Sequence, residues 1–148
     1  MALAERLAED LRQALKNRDE VRVSTLRLAR AAVHNAEIER GRPLSDGEVQ
    51  EVLRREVKRR REAIEAYRRG GREEAARREE LEMAVLMEYL PQPLSDEELR
   101  VLVRQAVQET GASSPRDAGR VVGWVMARAQ GRADGRRVAE LVREVLGA

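Results

Sequence analysis

Leu3, Leu7, Leu11 and Leu15 recur every four residues, a spacing that places them on one stripe of an amphipathic helix. Lys16-Asn17-Arg18-Asp19 interrupts that pattern, and Asp19 is suited to cap a second helix running to about Glu39, before Gly41 and Pro43. Val49, Val52, Leu53, Val57, Ile64 and Tyr67 stripe a third helix, which Gly70-Gly71 stops, and a fourth runs from about Arg72 to Tyr89. Three more follow. Leu99, Leu102, Val103, Ala106 and Val107 stripe the fifth, and Ala118, Val121, Val122, Val125 and Ala129 the sixth. Val138, Leu141, Val142, Val145 and Leu146 stripe the seventh. The pattern predicts an all-α protein.

Leu90-Pro91-Gln92-Pro93-Leu94 is the strongest boundary, because two prolines one residue apart cannot continue a helix and bias the residues before them toward extended backbone. It predicts a helical N-terminal domain of residues 1–90 and a three-helix domain of residues 94–148. Neither half supplies a large core, which favours docking of the two or oligomerisation. Ser45-Asp46-Gly47-Glu48 and Ser95-Asp96-Glu97-Glu98 read as capping boxes, and Ser114-Pro115 as a cap with proline at the first helical position. Gly131 is suited to end the sixth helix in a left-handed conformation and Asp134 to cap the seventh.

Composition strengthens the helical reading: Ala, Glu, Leu, Arg and Lys fill well over half of the 148 positions. It also removes several chemistries. The chain has no cysteine, which excludes disulfides, thiol nucleophiles and thiolate metal sites, and its one histidine excludes a two-histidine metal site. His34, mid-helix with no nucleophile motif nearby, reads as a surface or packing residue. Carboxylates stand three or four residues from arginines, as in Glu51–Arg55, Glu56–Arg60 and Glu65–Arg69, which reads as solvated ion-paired faces. No phosphate-binding glycine loop is present. Catalysis by this chain alone, a cofactor and a metal are not expected. The charged N-terminus does not fit a secretory signal and no apolar run approaches a membrane span, so a cytoplasmic protein is expected.

The net charge of +2 is too small to diagnose nucleic-acid binding, but its distribution is uneven. Residues 54–78 are strongly basic between net acidic flanks, and Arg54, Arg55, Lys58, Arg59, Arg60 and Arg61 concentrate six cations in eight residues. Four of them fan over the face opposite the apolar stripe, while Arg60 and Arg61 flank it. A solvated face with intrahelical pairs accounts for these charges; so does a surface that tracks phosphates. With only Trp124, Tyr67 and Tyr89 as aromatics, base stacking has little to work with, and folded RNA fits better than single strands or DNA. On the sixth helix Gly119 and Gly123 occupy one flank of the stripe, a spacing that permits close helix approach. Trp124 lies on the other flank, available to a partner or to the N-terminal half.

Thr25-Leu26-Arg27-Leu28, Tyr89-Leu90-Pro91, Gly119 with Gly123, and Gly131-Arg132-Ala133-Asp134-Gly135 occur in an order and spacing that resembles the GatB/YqeY family, specifically its free-standing YqeY-like proteins. The resemblance spans essentially the whole chain. It implies a helical domain followed by the three-helix tail shared with the B subunit of the tRNA-dependent amidotransferase and carried by some glutaminyl-tRNA synthetases, where the tail holds tRNA away from the chemistry. It implies RNA-contacting roles for Arg120, Arg128, Arg132 and Arg136, and a turn-shaping motif in Gly131, Ala133 and Asp134. Carbon–nitrogen ligase chemistry with glutamine as amido donor also follows from the family, but this chain lacks the amidotransferase's large catalytic domain. Two roles result: an accessory tRNA-binding protein, with Arg54, Arg55, Lys58, Arg59 and Arg61 as further contacts, or an adaptor docking on an amidotransferase or aminoacyl-tRNA synthetase.

Overall fold

In a computed structural model, which describes residues 1–147, the chain is all-helical. Seven α-helices span Leu3–Asn17 (α1), Glu20–Arg40 (α2), Asp46–Arg69 (α3), Glu73–Met87 (α4), Asp96–Thr110 (α5), Ala118–Ala129 (α6) and Gly135–Leu146 (α7). A 3-10 turn, Pro115–Asp117, precedes α6. The chain separates into two compact units, Met1–Leu90 and Pro91–Ala148.

The caps explain where the helices begin. Asp19 accepts the Arg22 N–H, and Ser45 with Glu48 and Ser95 with Glu98 form reciprocal boxes that satisfy the first free amides of α3 and α5. Ser114 opens the 3-10 turn rather than α6, and there the Asp117 carboxylate accepts from the Ser113 and Ser114 amides.

In the first unit α1–α4 enclose a core in which Leu7, Leu26, Leu53 and Leu86 are fully buried. Each such leucine stabilises the fold by roughly 1.5–3 kcal/mol relative to exposure. Leu15 does not join it and is 46% exposed. A four-residue spacing drifts about 40° per step at 100° per residue, so the row that starts at Leu3 has left the core by Leu15, and Ala14 is buried instead. The Leu3 amide donates to Asp46 across to α3, and Arg22 of α2 grips Glu88 through both carboxylate oxygens. Tyr89 is buried with its hydroxyl on Asp10 and the Arg6 guanidinium 4.6 Å from its ring centre.

In the second unit Leu99, Val103, Val121, Val125, Val138, Leu141 and Val142 form a separate core. Arg137 of α7 clasps Asp96 of α5 with two hydrogen bonds of 3.1 and 2.6 Å.

Candidate nucleic-acid interface

The apolar stripe of α3 (Val49, Val52, Leu53, Val57, Ile64) faces the first unit's core and thereby aims the rest of the helix outward. Arg54, Lys58 and Arg61 stand at i, i+4 and i+7, one row along the helix about 10 Å long. Lys58 and Arg61 are exposed and Arg54 is half-buried. None of the three has an acidic partner among the described residues, and neither does exposed Arg55, one step further round. Arg59 belongs to the other flank, where its guanidinium lies 3.2 Å from Glu56.

Arg60 does not belong to the surface at all. It is 8% exposed, with Nη2 3.3 Å from Glu82 and Nε 3.9 Å from Glu79, both on α4. The intrahelical Glu56–Arg60 pair expected from spacing is therefore replaced by Glu56–Arg59, and Arg60 crosses between helices instead. Neither Glu51–Arg55 nor Glu65–Arg69 pairs among the described residues. The signal for Arg60 was present in its register: it lies seven residues after Leu53 and three after Val57, inside the apolar row, with Glu79 and Glu82 spaced three apart on the helix that packs there.

The tail arginines divide by what already holds them. Arg120 is 2.7 Å from Asp117 and also donates to the Thr110 carbonyl. The Ser113 amide, and then Arg120, hold the Asp117 carboxyl below its ordinary range. Arg128 lies 3.5 Å over the Trp124 ring and donates to the Trp124 carbonyl. Arg132 donates from Nε to the Gln92 carbonyl at 2.7 Å, and its own carbonyl accepts the Leu94 amide, fastening the Pro91–Leu94 segment to the α6–α7 turn. Arg136 is exposed and has no acidic partner among the described residues.

The surrounding motif shapes the turn. Gln130 and Gly131 both adopt positive φ, Ala133 packs on the tail core, and Asp134 accepts the Arg136 amide to start α7. A Cβ at Gly119 or Gly123 would meet nothing within 4 Å, so the pair leaves a bare stretch of α6 backbone facing outward instead of a close helix contact. Trp124 is half-buried against the tail's own core beneath Arg128. Thr25 is fully buried with its hydroxyl on the Val21 carbonyl, a packing role.

Spacing also passed over a second basic row, Arg27, Arg30 and His34 on α2, all exposed along the groove between α1 and α2. The described residues hold no cluster of three metal-binding side chains, and no helix among them is long and apolar enough to cross a membrane.

The described residues form an all-α chain whose second unit is a three-helix tail. Residues 4–146 match the Yqey-like protein family, and the chain belongs to that family. Among its relatives is altered inheritance of mitochondria protein 41, mitochondrial, of Pyrenophora tritici-repentis, 29% identical over 97% of this chain and 80% of the relative. The proteins of the same name from Lachancea thermotolerans and Eremothecium gossypii are 28% and 31% identical, over 93% and 57% of this chain and 78% and 46% of theirs. Their designation as mitochondrial overturns the cytoplasmic placement expected above. A charged N-terminus argues only against secretion; it does not separate the cytosol from an organelle matrix.

Proposed function

We propose that this protein is an accessory tRNA-binding protein that grips the RNA backbone without catalysing a reaction by itself. The observation that carries this reading is the row of Arg54, Lys58 and Arg61, three cations on one face of a rigid helix with no acidic partner among the described residues. Cations committed to carboxylates gain little from a phosphate, whereas free ones release counterions when they meet it. All but two of the 29 basic residues are arginine, the side chain whose planar fork matches phosphate oxygens.

Arg55 and Arg136 are the further contacts best placed to move onto RNA. Arg120, Arg128 and Arg132 must first leave Asp117, the Trp124 ring and the Gln92 carbonyl. The outward α6 backbone at Gly119 and Gly123 offers a side-chain-free surface to a bulky ligand. With Tyr89 buried and Trp124 beneath Arg128, recognition by shape and backbone suits this chain better than base stacking. On this reading the chain performs no glutamine-dependent carbon–nitrogen ligation alone, and an assay with misacylated tRNA and glutamine lacking other subunits yields no product.

Titration with tRNA at about 50 and about 200 mM salt tests the proposal. Binding that weakens steeply between the two supports it. No binding at the lower concentration, or affinity indifferent to salt, refutes it.

A further inference from the structure

α2 carries four arginines, and the fold engages two of them. Near its ends Arg22 grips Glu88 and Arg40 pairs with Glu48. Arg27 and Arg30, in the middle, have no acidic partner among the described residues. Sequence spacing denies them one, since no carboxylate stands three or four residues from either along the helix. In the Thr25-Leu26-Arg27-Leu28 string, Thr25 and Leu26 are buried and explained by packing, whereas Arg27 is exposed. Arg27, Arg30 and His34 line one wall of a groove of about 370 Å³ between α1 and α2, and the α1 wall is Ala4, Leu7 and Leu11. The one carboxylate that lines it, Glu37, is half-buried and accepts the Leu44 amide at 3.1 Å, which ties it to the connection between α2 and α3.

We infer that this groove is a second contact for the RNA backbone, in which Arg27, Arg30 and His34 meet adjacent phosphates of one strand. The inference rests on the tRNA-binding reading and adds to it a surface on a helix other than α3. Like charges three apart weaken a helix, so Arg27 and Arg30 repel each other in a way that no ion pair within the fold offsets. A strand of phosphates supplies the missing countercharge. The row rises about 10 Å from Arg27 to His34 at 1.5 Å per residue, more than one phosphate can span. The backbone amides along it lie inside α2 and donate to its own carbonyls, so nothing encloses a lone anion as the free amides of a helix N-terminus would. Separate cations spread along an exposed row gain most from a polyanion, through release of its condensed counterions. The imidazole donates a hydrogen bond to a phosphate oxygen in either charge state, and the α1 wall brings no carboxylate to compete for it.

Salt titrations of tRNA affinity with three variants supply the test. Arg27→Gln/Arg30→Gln, altered only at exposed positions, should keep the parent's helicity and lower the slope of log affinity against log salt by about 1.4–1.8. Arg27→Lys/Arg30→Lys, which keeps both charges, should keep the slope. Arg12→Gln, which removes an arginine already held by Glu9, should keep it too. His34 is the one histidine of the chain, so its modification by excess diethyl pyrocarbonate, read by peptide mass, reports on this groove. Bound tRNA should protect it several-fold, whereas inorganic phosphate at the same phosphate concentration should not. A glutamine variant with the parent's slope, or a His34 equally reactive with tRNA bound, overturns the inference and leaves the α3 row standing. So does an equal loss of slope in the lysine variant, which marks a structural role, or in Arg12→Gln, which marks a general effect of charge. Protection by inorganic phosphate makes the groove a site for free anions and overturns it as well. A parent chain that binds no tRNA refutes this inference and the tRNA-binding reading together.

Discussion

The Arg60 guanidinium lies 3.3 Å from the Glu82 carboxylate, and each side chain is only 9% exposed. Arg78 reaches Glu82 from the surface at 3.5 Å, and Glu79 stands 3.9 Å from Arg60, so a basic residue of α3 is neutralised inside the α3–α4 hairpin. Attraction between buried ions is offset by the loss of their hydration, which makes such a pair expensive to break and cheap to replace.

Removing one partner should therefore be far worse than removing both. Arg60→Ala or Glu82→Ala leaves an uncompensated buried charge and should cost about 3–5 kcal/mol. Arg60→Met/Glu82→Leu, which fills the same space with apolar atoms, should fall within about 1 kcal/mol of the parent or exceed it. Urea unfolding followed by circular dichroism reads both. Single variants that lose under about 1 kcal/mol would show that the charges remain hydrated.

Burial, and then the hydrogen bond to Asp10, raise the Tyr89 hydroxyl well above the ordinary tyrosine range. In the unfolded chain the same phenol titrates near its usual value of about 10. Above that pH the unfolded state has lost a proton the folded state keeps, so stability should fall as pH rises from about 10 toward the folded value. Tyr89→Phe should flatten that part of the profile of thermal midpoint against pH. An equally steep alkaline loss in the variant would assign it to other groups.

The Gly131–Asp134 motif should prove to be a turn and not a contact. Gly131 sits at φ +79°, where an alanine costs roughly 1–2 kcal/mol, and losing the Asp134 cap costs about 1 kcal/mol. Gly131→Ala and Asp134→Ala should each lower stability by those amounts while leaving RNA affinity within about two-fold of the parent at temperatures where both are folded. A variant that stays fully stable but loses affinity would make the motif part of the binding surface.

These cases show what the linear pattern carried and what it could not. Helix positions and caps were legible because capping boxes and four-residue spacings are local: Asp19, Ser45, Ser95 and Asp134 all start helices where their side chains imply. Arg60 was misread because a charge inside an apolar row looks like a flank until the carboxylates of another helix are known. Gly119 and Gly123 have open space beside them: spacing says that a neighbour is permitted without saying that one is there.

The central claim concerns Arg54, Lys58 and Arg61, and the most direct measurement is the salt dependence of tRNA affinity for the parent chain beside Arg54→Gln/Lys58→Gln/Arg61→Gln. Three fewer phosphate contacts should weaken binding and reduce the slope of log affinity against log salt by about 2–3. A triple variant with the parent's affinity and slope would contradict the account.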